Sequence, residues 1–413
     1  MKPLCSLLFF GVLGSCPIVH AVTPSALGDE AVAANPEINF YAAEIAAARA
    51  GRKTAGQIAN PNLSVEAGRM TTGESGDGPV WRAQISQTFD FPARVALRKA
   101  VADRDIALAD LGLVQFKSLL RNEVRARAGE LILLRKKMEA VKSVRSRLAD
   151  VVGVLVQRDT GNVSAKLERR ILESSVLTMD REISNALTDA EAMRVDLNAL
   201  CGRAPSALLD IEDDAVAFPS IPSLETLKSQ AAETNFDLQQ KRVELARQGL
   251  KIDLSKADRW GSVSFGPYLG GQKAGDSEKE VGIVFSIPLP LWDKNKGAID
   301  EAAARAEQGQ ALLNATLRDL ERDLTKARDA YARELDTLDL WKNDPEAAFK
   351  EAAEEADRHY RLGAVPVTTY VEMQRQYLAA IDALVETRQH AWEHLMVLER
   401  LLGGKLGAKG GAK

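Results

Sequence analysis

Histidine and cysteine carry most metal and nucleophile chemistry, and this 413-residue chain has only four and three of them. The pairing that looks most like a metal site is His390 and His394 with Glu393 between them, because residues four apart share a helix face. A bound transition metal needs a third ligand and a hydrolytic one also needs a general base. Neither lies nearby in sequence, so the pair reads as a hydrated helix face. No P-loop, dinucleotide fingerprint, nucleophile elbow or Cys-x-x-Cys motif occurs. No catalytic residue, resident metal or cofactor is therefore expected, and the chain does not read as an enzyme. With 54 Lys+Arg against 58 Asp+Glu, a net charge of −4, it also lacks the basic excess of a nucleic-acid partner.

The N-terminus reads as an export address. Lys2 precedes an apolar run from Leu4 to Leu13 that is too short to cross a bilayer, and two processing sites follow. Val19-His20-Ala21 suits ordinary cleavage of a signal peptide over 1–21. Leu13-Gly14-Ser15-Cys16 reads equally as a lipobox, in which 1–15 is removed and Cys16 becomes a lipid-carrying N-terminus. Both routes remove Cys5 and leave Cys201 without a thiol partner, so no intramolecular disulfide is expected. Beyond this segment no apolar run approaches the ~20 residues of a membrane-spanning helix.

Apolar residues make up 46% of the chain but aromatics only 5%, a composition rich in Ala, Leu, Arg and Glu that suits long helices. The chain is also written twice. Ala59 to Gly68 aligns with Ala257 to Gly266, 198 residues later; Phe89-Asp90-Phe91-Pro92 aligns with Ile287-Pro288-Leu289-Pro290 at the same offset, and Gly161 with Gly363 at 202. Each half reads helix, strand, loop, strand, very long helix, glycine turn, long helix. The expected layout is a first repeat over 30–202, with strands at about 62–70 and 80–91 and a tip near 161. An irregular connector over 203–222 follows, then a second repeat over 223–402, with strands at about 261–270 and 280–291 and a tip near 363. The Gly- and Lys-rich tail, 403–413, is expected to be disordered.

The strands alternate. Trp81, Ala83, Ile85, Phe89 and Phe91 point one way and Arg82, Gln84, Ser86, Thr88 and Asp90 the other; Val263, Phe265 and Leu269, then Val281, Ile283, Phe285, Ile287 and Leu289, repeat the apolar face. Each strand has about 9 to 12 residues, the length a tilted strand needs to cross an outer membrane. Hairpins packed on a soluble core would alternate too, but the export signal and the lack of another sheet to cover these faces favour outer-membrane lipid. Two hairpins supply four strands, too few for a barrel, and open edges cannot face lipid, so the edges must pair between copies. Three copies would enclose a water-filled lumen and two a filled interior; periodicity does not choose between them.

The helices carry seams. From Leu120 a 4-3 spacing runs through Val124, Arg127, Leu131, Leu134, Met138, Val141, Arg145, Leu148, Val152 and Leu155, a coiled-coil pattern. Arg127 and Arg145 in that seam either set register and snorkel outward or meet carboxylates on a neighbouring helix. The second half has its own seam at Leu313, Leu317, Leu320, Leu324, Ala327, Tyr331, Leu338 and Trp341, and its return helix a stripe from Tyr377 to Leu402. An unbroken helix from Ala93 to Thr160 would be ~100 Å long at 1.5 Å per residue, which implies projecting hairpins packed on one another.

These features together resemble the TolC family of outer-membrane efflux proteins over essentially the whole mature chain. The resemblance lies in Asn60-Pro61-Asn62-Leu63-Ser64, in Phe89-Asp90-Phe91-Pro92, and in His359-Tyr360-Arg361-Leu362-Gly363 followed by Tyr370-Val371-Glu372-Met373-Gln374, combined with the duplication. It implies a mostly α fold with a membrane β-barrel portion, four strands per chain entering a trimeric 12-stranded barrel that continues into a periplasmic α-helical tunnel. It also implies a homotrimer in the outer membrane of a Gram-negative bacterium, docked to a periplasmic adaptor and an inner-membrane pump. The compact length resembles the members that serve heavy-metal pumps of the resistance-nodulation-division type. Carried onto this sequence, the adaptor-docking tips hold Gly161 and Val163 in the first repeat and Gly363 and Val365 in the second. Glu372 matches the inner of two acidic rings at the periplasmic entrance, while Thr369 stands at the outer position. Tyr360 matches a tip tyrosine of the closed state, whose arginine partner is here Val365. A periplasmic adaptor or coiled-coil scaffold without a pore is the alternative; it would carry one helical hairpin and many short strands.

Overall fold

The computed structural model describes residues 22–71, 77–157, 163–212, 216–274, 276–341 and 345–406. The export segment, with Cys16, and the first tip glycine, Gly161, lie outside the described residues. Among those described, the order is α1 (Pro24–Ala34), α2 (Glu37–Ala55), β1 (Asn62–Met70), β2 (Gly78–Phe89), α3 (Pro92–Gln157), α4 (Val163–Leu200), α5 (Leu224–Thr234), α6 (Phe236–Ala257), β3 (Val263–Ala274), β4 (Asp276–Ser286), α7 (Lys296–Leu340), α8 (Pro345–Arg361) and α9 (Val367–Leu401).

The duplication is visible in local structure. Thr23 caps α1 through its hydroxyl and Ser223 caps α5 in the same way; both helices run 11 residues and end at an asparagine, Asn35 or Asn235, with extended backbone. The first repeat thus begins by Thr23, earlier than the expected residue 30. In the second repeat the very long helix expected from the first is interrupted: α7 ends at Leu340 and α8 opens at Pro345, which lacks the amide needed to continue the ladder.

The chain divides into two compact units, one of residues 1–35, 120–219 and 331–396 and the other of 36–119, 220–330 and 397–413. In the first, Leu133, Val141, Val144, Leu148 and Val151 of α3 pack with Leu172 and Met179 of α4, Ala353 and Ala356 of α8, and Val367, Tyr370, Tyr377 and Ile381 of α9. The buried stripe of α3 departs from the heptad seam. Ala128 and Val144 are fully buried, whereas Arg127 and Arg145, one residue away, flank the stripe and pair with α4. Arg127 Nη1 lies 2.9 Å from Asp196, and Arg145 meets both carboxylate oxygens of Asp180 at 2.7 and 3.1 Å. A straight helix keeps a period of 3.6, so a 3.5-residue pattern drifts onto the neighbouring position, here the apolar one.

The second unit contains one antiparallel sheet in the order β1-β2-β3-β4, so that the β2–β3 pairing joins a hairpin from each repeat. β3 and β4 pair as far as Ala274 and Asp276, through residues expected to be loop, and β4 ends at Ser286 rather than near 291. β2 ends at Phe89 because Asp90 is drawn into the strand-to-helix corner. Its carboxylate accepts a hydrogen bond from the Ser262 hydroxyl at 2.5 Å, pairs with Arg98, and lies 3.3 Å from Arg94, which also reaches Asp258. At the far end, the residues after α9 do not start a loose tail: Gly403 and Gly404 donate to Arg400 and Glu399 carbonyls, and Leu406 is buried with its amide on the Glu399 carboxylate.

Ser262 above all, with Arg98 and Arg94, holds the Asp90 carboxyl below the usual carboxylate range against the opposing effect of burial. A depressed folded pKa means that this contribution is present above the ordinary carboxylate range and is lost as pH falls through the folded value. Asp90→Asn keeps the shape and removes the charge. It is expected to lower stability at pH 7 by roughly 1–3 kcal/mol and to remove the acid-side loss, read from thermal melting in detergent at pH 7 and below 4. Identical melting of the two proteins at pH 7 would show that the corner is held by something else.

Candidate functional site

The strand register puts every odd-numbered residue of the sheet on one face and every even-numbered residue on the other. The odd face carries Leu63 and Val65; Trp81, Ala83, Ile85 and Phe89; Val263, Phe265 and Leu269; and Val281, Ile283 and Phe285. All but the half-buried Ala83 and Val263 are exposed, Val281 and Ile283 at 77%, and Phe89 and Phe265 stack at 5.3 Å between centroids. The even face carries Asn62, Ser64, Glu66, Arg82, Gln84, Thr88, Ser264, Tyr268, Gln272, Glu278 and Glu280. A bare apolar face backed by a polar one, on strands of 9 to 12 residues, is the wall of a membrane barrel. β1 and β4 each have one strand neighbour, so both edges present unpaired backbone groups. None of the described helices is long and apolar enough to cross a membrane.

The second predicted locus is the turn from α8 to α9. Gly363 adopts φ 75°, a left-handed conformation that closes the helix: its amide donates to the Tyr360 carbonyl at 2.9 Å and that of Ala364 to His359 at 2.8 Å. Pro366 precedes α9, which restarts at Val367, three residues before the expected Tyr370. Val367, Tyr370, Val371, Gln374 and Tyr377 form its buried stripe; Thr369 and Glu372 lie on the exposed stripe, with Glu372 accepting from Gln376 at 2.7 Å. Val365 is half-buried, Val163 at the start of α4 is exposed, and a cavity beside the turn is lined by Val151, Glu168, Tyr360, Arg361, Val365 and Pro366.

Tyr360 does not depend on an arginine at position 365. Its ring stacks on Tyr370 at 4.9 Å and 6°, and its hydroxyl bonds to Glu168 of α4. The fully buried Tyr370 donates to Asp357 Oδ1 at 3.0 Å, while Asp357 Oδ2 accepts from Arg361 at 2.9 Å. Burial first, then the Asp357 charge, pushes the Tyr370 phenol far above its ordinary value, and burial does the same more mildly to Tyr360. Both therefore stay protonated donors through the physiological range. Gln374, also fully buried, donates to the Ala353 carbonyl at 2.7 Å and fastens α9 to α8. Asp357, Arg361, Gln374 and Glu168 were not anticipated. Only the four-residue spacing of Asp357 and Arg361 hinted at them, and it did not distinguish this pair from many surface pairs.

Of the remaining predicted residues, His390 and Glu393 are exposed and His394 half-buried. Among the described residues no group of three or more His, Cys, Asp or Glu side chains could hold a metal ion. The Cys201 thiol is buried against the Leu27 carbonyl at 3.7 Å and its pKa is pushed up to about 11, chiefly by burial.

Residues 227–404, nearly all of the second repeat, match the family of outer membrane efflux proteins. The cobalt-zinc-cadmium resistance protein CzcC of Cupriavidus metallidurans is 20% identical over 380 residues, which cover 90% of this chain and 88% of that protein. The outer-membrane channel OprN shares the fold with a TM-score of 0.74 at 18% identity, covering 92% of this chain and 90% of its own. CusC does so at 0.73 and 14%, covering 94% of each chain. The chain therefore shares the fold of these outer-membrane channels over nearly its whole length. The alternative of a pore-less adaptor falls, since it calls for one helical hairpin and many short strands.

Tyr370→Phe keeps the stack and deletes one donor to Asp357, so it should cost about 1 kcal/mol and speed amide exchange over 357–370. Tyr370→Ala also loses the buried ring and should cost about 3–5 kcal/mol. Exchange rates unchanged in both variants would mean that the pair does not hold the turn.

Proposed function

We propose that the protein is the passive exit duct of a tripartite efflux system. Three copies close a twelve-stranded barrel, a periplasmic adaptor docks on the turns that hold Gly363 and Val365 in one repeat and Gly161 and Val163 in the other, and an inner-membrane pump of the resistance-nodulation-division type supplies the cargo. The observation that carries this reading is the uncovered apolar face of a four-stranded sheet with two open edges. Eight strands would leave an interior filled by side chains, whereas twelve leave room for water, which suits a polar even face. Similarity to a cobalt-zinc-cadmium resistance protein supports heavy-metal cations as cargo ahead of drugs.

Transport needs no chemistry from this chain. The energy is supplied by the pump, and the duct opens when its partners separate the α8–α9 turns of the three copies. Glu372 and Thr369 lie on the exposed stripe of α9, so a threefold ring there places one carboxylate per copy at the entrance. A ring of carboxylates favours cations. In planar bilayers the protein should conduct with cation preference, and Glu372→Ala should reduce that preference while leaving the oligomer intact. Selectivity unchanged by this substitution would reject the ring, and a protein that never conducts would reject the duct.

A further inference from the structure

One row on the polar face of the sheet joins all four strands: Glu66 stands opposite Arg82, Arg82 opposite Gly270, and Gly270 opposite Glu280. Arg82 and Glu280 belong to strands that are not neighbours, two strand spacings or about 9–10 Å apart. Their side chains nevertheless meet, with Arg82 Nη2 and Nε at 2.9 and 3.2 Å from Glu280 Oε1. The bridge passes over Gly270, where a Cβ would overlap the Glu280 carboxylate. In the adjacent row Tyr268 faces Gly282, and its ring fills the space that a Cβ at 282 would need. The Arg82 guanidinium lies 5.0 Å from the centroid of that ring, within cation–π reach.

Side chains on a strand ordinarily stand away from the sheet, and three as long as Arg, Glu and Tyr would reach deep into the space that the polar face bounds. Two glycines let these three lie along the wall instead. The row keeps two carboxylates against one guanidinium, a residual negative charge that each copy repeats.

We propose that Arg82, Tyr268 and Glu280, seated on Gly270 and Gly282, form a flat strap on the lumen wall that sets the bore of the barrel and its preference for cations. The strap rests on the duct reading above. It opposes narrowing, because its members are held down by one another and not by backbone alone. It also fixes charge, because Arg82 cancels one of the two carboxylates and leaves the other for a passing cation.

The test uses the full-length oligomer in planar bilayers, with conductance measured in potassium chloride and reversal potential under a potassium chloride gradient. Gly270→Leu should lift Glu280 from the wall and lower conductance. Arg82→Ala leaves both carboxylates unopposed and should shift the reversal potential toward that of potassium. Glu280→Gln keeps a partner for Arg82 but balances the row, and should shift it the other way. The last two add no volume, so they carry the test even where Gly270→Leu does not assemble. A conducting parent with conductance and reversal potential unchanged in these variants, or a change confined to melting temperature, overturns the strap. A parent that does not conduct removes the duct reading and the strap with it.

Discussion

A row of unpaired peptide groups cannot be left in hydrocarbon, because each costs several kcal/mol without water to satisfy it. This constraint governs the molecule. The sheet has a bare apolar face, and its outer strands β1 and β4 each lack a neighbour on one side. Lipid can cover the face, but only another strand can satisfy the edges. A single chain has none to spare, so in the proposed duct copies of the chain complete the wall and the polar face lines their shared lumen.

The duplication is what makes such a sheet buildable. Each repeat contributes one hairpin, and the junction between them is both a strand pair, β2 with β3, and a polar corner in which Asp90 of the first repeat takes the Ser262 hydroxyl of the second. The strap over Gly270 reinforces the same junction from the lumen side by linking β2 to β4. At the α8–α9 turn the same solution appears in helical form, with short-range glycine geometry and a buried tyrosine, Tyr370, whose hydroxyl is held by a carboxylate from the preceding helix. In the proposed duct, a rigid turn of this kind would move as a body when partners separate the copies.

Much of this was legible in the sequence, and the misses share physical causes. Alternation in Trp81 to Phe89 and Val281 to Phe285 marked the exposed apolar face, because a sheet with one apolar and one polar face enforces a period of two along every strand. The ends of β3 and β4 were misjudged because Gly271 to Lys279 has the composition of a loop, yet hydrogen bonding continues to within one residue of the turn. Heptad counting put Arg127 and Arg145 in the seam. The 3.6-residue helix buried Ala128 and Val144 in their place, and the arginines found carboxylates on α4. Contacts such as Asp90 with Ser262, or Arg82 with Glu280, join residues 172 and 198 positions apart, and no local pattern encodes them.

Oligomeric state after removal of the export segment tests the account most directly. Extraction, sedimentation and gel migration of the mature protein should show that detergent is needed to keep it dispersed, and that it sediments as three chains which separate only on heating. A single chain that stays folded and monodisperse in aqueous buffer without detergent would contradict it, because the open edges of β1 and β4 would then have no need of a partner.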